Sequence, residues 1–138
     1  MAAKGKARKG LTWDDVRRIA LTFPGTEEGT SYGTPAFRAS KKFFTRLKED
    51  GRSIVVRIDM DEREVLMAAD PKTFFITEHY RNYPAMLVNL ASAHEKQVQR
   101  LLEQSWRAMA PKKLLAAYEI GEKPALAPKR SAAPRRKR

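Results

Sequence analysis

Hydrophobic positions recur along this chain with two different spacings, and each change of spacing marks an element. Trp13, Val16, Ile19, Ala20 and Phe23 fall three or four apart, the period of one helical face. Thr12 precedes them with Asp15 three residues on, a capping-box pattern that predicts the helix start, and Pro24-Gly25 predicts its end. Residues 24–35, PGTEEGTSYGTP, predict a loop in which Tyr32 is either exposed or packed. The spacing then shortens to two. Residues 36–39 predict a short strand. Residues 42–48 predict a second, with Phe43, Thr45 and Leu47 on one face and Phe44, Arg46 and Lys48 on the other. Asp50-Gly51 is a hairpin turn signal, and residues 53–58 return with Ile54, Val56 and Ile58 inward and Val55 and Arg57 outward.

A second helix is expected with Asp61 as its cap, Glu64 at the third position, and Val65, Leu66 and Ala69 as its apolar face; Asp70-Pro71 stops it. The densest apolar and aromatic stretch follows, Thr73 to Ala91. Phe74–Ile76 predicts a buried strand, and residues 85–90 another, with Met86, Val88 and Leu90 on one face and Leu87 on the other. Between them lies a polar-aromatic loop, His79-Tyr80-Arg81-Asn82-Tyr83-Pro84. Ser92 with Glu95 predicts the start of a third helix carrying Val98, Leu101, Leu102, Ser105, Trp106 and Met109. Pro111 opens a short fourth helix to Glu119, with Gly121 as its stop. The order predicts an α+β fold: an antiparallel or mixed sheet of about five strands packed against helices.

At 138 residues the chain is one domain's worth. It has no cysteine, which excludes disulfide and thiolate chemistry. No apolar run approaches a membrane span, and MAAKGKARKG lacks the apolar segment of a secretory signal, so the expected location is cytoplasmic. The net charge of +12 changes the picture, because it is unevenly placed. Of the 28 basic residues, four lie in 1–10 and seven in 123–138, where there is no acid. The remaining seventeen share 11–122 with all 16 acids. The expected organisation is a nearly neutral domain over 11–122 between two basic tails, 1–10 and 123–138, too poor in large apolar residues to fold.

Several words of this sequence stand in a particular order. They are Leu21-Thr22-Phe23-Pro24-Gly25-Thr26-Glu27-Glu28, Gly33-Thr34-Pro35-Ala36-Phe37, Lys42-Phe43-Phe44-Thr45, then Thr77, His79-Tyr80, Tyr83-Pro84 and Leu87-Val88, and last the helix with Trp106. In that order, over about residues 12 to 119, the chain resembles the MmcQ/YjbR family. The resemblance implies a small α/β protein with a double-wing arrangement and a DNA-binding role. The basic tails fall outside it.

Three features are candidates for function. In the tails, Lys129, Arg130, Arg135, Arg136, Lys137 and Arg138, with Pro128 and Pro134 among alanines, resemble histone-like tails; such a run attaches to phosphates in a salt-dependent, sequence-independent way, or is simply solvated. Around the hairpin, Arg38, Lys41, Lys42, Arg46, Lys48, Arg52 and Arg57 face only Glu49 and Asp50 within 38–57. A basic ribbon can enter a DNA groove, though edge strands also carry such charges to prevent edge-to-edge pairing. In the loop, Arg81 can contact phosphate and the rings can stack on bases, or His79, Tyr80 and Tyr83 can line a small-ligand pocket, or be half-buried structural residues. Trp13 and Trp106 read as core, and His94 as a solvent-facing residue of a first helical turn. Asp59, Asp61 and Glu62 are explained by helix capping more simply than by a cation. No nucleophile–base pair, phosphate loop or metal spacing is recognisable, so neither an enzyme nor a cofactor is expected. The expected partner is DNA, with RNA or another polyanion as alternatives, and the expected location then becomes nucleoid-associated. The expected state is a monomer. A small-ligand or protein-binding module using the His79–Tyr83 loop is the competing reading.

Overall fold

A computed structural model describes residues 10–119. The tail residues named above lie outside that range. Helix α1 (Trp13–Ala20) is followed by four strands, β1 (Thr26–Ser31), β2 (Thr34–Ala39), β3 (Lys42–Leu47) and β4 (Ser53–Arg57). Helix α2 (Met60–Ala69), strand β5 (Phe74–Phe75), a 3-10 turn at Glu78–Tyr80 and strand β6 (Ala85–Asn89) come next, then α3 (Glu95–Met109) and α4 (Lys112–Ala117). The strands form one sheet in the order β1-β2-β3-β4-β6-β5, antiparallel at every pairing. The fold is therefore α+β, as expected, with six strands rather than five.

The added strand is β1, which the sequence reads as loop. It has no apolar residue, so periodicity cannot reveal it; pairing with β2 across Tyr32-Gly33 makes it. Both turn residues have positive φ, 54° at Tyr32 and 81° at Gly33, as a two-residue primed hairpin turn requires.

One face of the sheet is covered by α1 and α3. Phe37, Phe44, Ile54, Val56, Met86 and Val88 pack there against Val16, Ile19, Leu101, Leu102 and Trp106. Trp106 is fully buried, stacked 5.6 Å from Phe23, and its indole N–H donates to the Pro24 carbonyl at 3.2 Å. Thr12 and Asp15 form the expected capping box.

The face assignment of β3 needs correction. Phe37 pairs with Thr45 but Arg38 pairs with Phe43, so Phe44 is an extra residue at a register shift. Phe44 and Thr45 are consequently both buried, while Phe43 goes to the opposite face beside Arg38. The shift would leave backbone groups without strand partners. The Ser105 hydroxyl of α3 supplies them, donating to the Phe44 carbonyl and accepting from the Arg57 amide at 2.8 Å.

Three helix starts also differ from expectation. Asp59, not Asp61, caps α2, its carboxylate accepting from the amides of Asp61 and Glu62 at 3.0 and 3.1 Å. Val65 and Ala69 are exposed, and the one buried side chain of α2 is Arg63. Helix α3 begins at Glu95 with His94 at the cap position, because the Ser92 hydroxyl is committed to Thr73 at 2.7 Å and Glu95 is buried against Arg18 at 3.1 Å. Pro111 precedes α4 as its cap residue instead of opening it. No helix among the described residues is long and apolar enough to cross a membrane.

Candidate nucleic-acid interface

The sheet's other face carries a row of cross-strand partners through all six strands: Gly29, Ala36, Arg46, Val55, Leu87 and Phe75. Strict alternation puts Arg46 and Val55 on this face, so the basic hairpin presents its cations here. Leu87 is buried on it, outside the helix-side cluster.

The loop between β5 and β6 comes to the same face. Arg46 Nη2 donates to the Tyr80 hydroxyl at 3.3 Å, and the Lys48 ammonium stands 5.7 Å from the Tyr80 ring centroid. Tyr80 leaves the chain beside β6, two strands away from β3, roughly 10 Å at the usual strand spacing. Its hydroxyl nonetheless reaches Arg46. His79 packs edge-on to Tyr80 at 4.7 Å, and Tyr83 lies 6.0 Å from His79. On the other side, the Arg46 guanidinium sits 5.0 Å over the Tyr32 ring and donates to Thr34 Oγ1 at 3.2 Å. Cations over aromatic faces attract through the ring quadrupole. The result is one continuous lane, Tyr32–Arg46–Tyr80–His79–Tyr83, with Lys48 alongside.

Arg63 holds the loop end of this lane. Its guanidinium donates to the carbonyls of Tyr80, Arg81, Tyr83 and Ala85, at 2.8 to 3.0 Å. A planar fork with five donors can satisfy diverging carbonyls that an ammonium cannot.

The other expected contact residues are placed variously. Arg57 is exposed on the lane's face, paired across to Ala85, and makes no ion pair with a described residue. Lys41, Lys42 and Arg52 are exposed at the two hairpin turns, likewise without described ion pairs. Arg38 is tied to Glu27 at 2.9 Å and lies 5.9 Å from the Phe43 ring. Arg81 is held by Glu78 through two hydrogen bonds of 2.7 and 2.9 Å. That pairing lowers the Glu78 carboxyl below its ordinary range and raises the Arg81 guanidinium. Glu49 sits 3.6 Å from Arg46 and 3.4 Å from Lys48; its own backbone amide first, then Lys48, holds its carboxyl down. Among the described residues no cluster could hold a metal ion.

The hairpin and the loop stand apart in the sequence, and the structure joins them. Tyr32 and Arg63 enter the site only in the structure. Tyr32-Gly33 carried a signal, a glycine in a turn between two pairable segments. Arg63 carried none, since a charged residue in a helix reads as solvated.

The family model for YjbR matches residues 21–108. This chain belongs to the YjbR family. Two uncharacterized proteins, Rv2570 of Mycobacterium tuberculosis and Mb2600 of Mycobacterium bovis, are each 30% identical to it over 122 residues, covering 78% of this chain and 95% of theirs. Among solved structures it is similar to Deinococcus radiodurans protein DR2400, with domain label DUF419. That likeness has a TM-score of 0.69 at 17% identity and covers 87% of this chain and 96% of that one, which is agreement of fold. The matched stretch of this YjbR chain contains every lane residue from Tyr32 to Tyr83, while the basic tails lie outside it.

Proposed function

We propose that this YjbR protein is a non-enzymatic DNA-binding protein that contacts phosphates largely without regard to sequence. The cationic sheet face would dock the nucleic acid, and the basic tails would add affinity. The observation that supports this most is the Arg46–Tyr80 bond, because it puts the basic hairpin and the Arg81 loop on one surface. Arg46, Lys48, Arg57 and Arg81 share that surface, where Glu49 engages Arg46 and Lys48, Glu78 engages Arg81, and Arg57 has no ion pair among the described residues.

The test is fluorescence anisotropy of a labelled duplex with the full chain across a salt series. Each phosphate neutralised on B-form DNA contributes about 0.9 to the slope of log affinity against log salt. Lys48→Ala with Arg57→Ala is expected to weaken binding and lower that slope by about 0.9 per charge removed. An unchanged slope would remove the sheet face from the interface and leave attraction by the tails alone.

A further inference from the structure

The lane has features that a phosphate-gripping surface does not need. Arg46 and Lys48 are not free to project into a groove: their side chains are 12% and 23% exposed and are committed to Tyr32, Thr34, Glu49 and Tyr80. What the lane offers to solvent at its ends is aromatic. Tyr32 is 83% exposed, Tyr83 is 58% exposed, and His79 is exposed between Tyr83 and Tyr80. Bases in a duplex have both faces covered by their neighbours. Only unpaired bases can stack on such rings.

Tyr32 sharpens the point. Its φ of 54° is a left-handed conformation that a bulky side chain adopts only at a cost, in a turn position that Asn fills more easily. Burial does not repay that cost, since the ring stands in solvent over Arg46. Its π-face remains available, backed by a cation.

We infer that the lane is a stacking platform for single-stranded DNA, with bases on Tyr32 and on the Tyr83–His79 pair and the intervening phosphates near Arg46, Lys48 and Arg57. The occupied site is on the order of four nucleotides. The strand is assigned as DNA on the function proposed above; the 2′-hydroxyl of RNA both donates and accepts, and the lane's carboxylates, Glu49 and Glu78, which could accept from it, are already engaged by Arg46, Lys48 and Arg81. This inference rests on the nucleic-acid reading above and narrows it to one strand.

The experiment uses the full chain at about 0.2 M salt, where phosphate-only attachment has weakened. Labelled oligo(dT), oligo(U) and a duplex of equal length are compared, with wild type, Tyr32→Asn, Tyr32→Phe and Tyr83→Ala. Wild type is expected to bind oligo(dT) more tightly than the duplex and at least as tightly as oligo(U). Tyr32→Asn is expected to keep or raise the melting temperature while lowering oligo(dT) affinity about tenfold, with duplex affinity changed less than about twofold. Tyr32→Phe should retain binding, and Tyr83→Ala should lower it. Equal or better binding of duplex, or unchanged oligo(dT) affinity in both Tyr32→Asn and Tyr83→Ala, would overturn the platform and leave the phosphate reading intact. Tighter binding of oligo(U) would overturn the assignment to DNA. No binding of any of the three polymers at low salt would overturn the nucleic-acid reading itself.

Discussion

The Arg63 guanidinium donates to the Tyr83 carbonyl at 2.8 Å, and this contact ties a helix residue to the far end of the aromatic lane. Three more carbonyls of the same segment, those of Tyr80, Arg81 and Ala85, accept from the same group. Among the described residues no carboxylate faces Arg63, so carbonyl dipoles alone neutralise a buried charge. Arg63→Met is expected to lower stability by about 3 kcal/mol in urea titrations, because four charge-assisted hydrogen bonds to part-buried carbonyls are lost together. Arg63→Lys should recover little of it, as a single ammonium cannot fan out to four acceptors. Full recovery with lysine would show that the charge, not the fork, holds the loop.

Ser105 bridges two strands from a helix. Removing its hydroxyl strands the Phe44 carbonyl and the Arg57 amide together. Ser105→Ala is expected to cost about 2 kcal/mol. Amide hydrogen exchange at Arg57 should accelerate more than at Val55, which keeps its strand pairing with Arg46. Equal protection at both sites would mean that the strands close without the hydroxyl.

On the proposed function, Glu78 would compete with DNA for Arg81. Glu78→Gln is expected to strengthen nucleic-acid binding severalfold by releasing that guanidinium, whereas Arg81→Ala should weaken it less than Arg57→Ala does, since Arg57 has no described carboxylate partner. Titrations of the three variants at one salt concentration decide it.

The β3–β4 turn responds to acid. Burial pushes the Asp50 carboxyl up, but the amides of Arg52 and Ser53 and the Ser53 hydroxyl outweigh it and bring it below its ordinary value of 3.8. The unfolded chain then binds the proton more readily than the folded one, so stability from this group is present above pH 3.8 and is lost as pH falls through the lower folded value. Asp50→Asn is expected to flatten the acid limb of a stability–pH curve and to leave the alkaline limb unchanged.

Helices α1 and α3 and strand β4 were legible because each buries one face and repeats its period. Val16 and Ile19 mark α1, and Ile54, Val56 and Ile58 mark β4. Strand β1 was not legible, since TEEGTS is held by backbone pairing and not by apolar burial. Phe44 was misplaced because a register shift resets the alternation, and nothing in KFFTRL announces it. The site was half legible. Its cations and the rings of His79, Tyr80 and Tyr83 were named and Tyr32 was not, and their meeting depends on Tyr80 reaching β3 and on Arg63, neither of which a linear pattern carries.

The register shift at Phe44 also has a mechanical meaning. Strands β3 and β4 are joined by the partners Thr45–Val56, Arg46–Val55 and Leu47–Ile54, and at the shifted end one hydroxyl from α3 stands in for the ladder. The sheet is thus two three-stranded leaves sewn along a short seam. Tyr32, Arg46 and Lys48 ride on one leaf, and Tyr80, His79 and Tyr83 belong to the other. A serine behind the sheet thus fastens the leaf that carries Tyr32 to the leaf that carries Tyr83, and the spacing of those rings is set from the face they do not occupy.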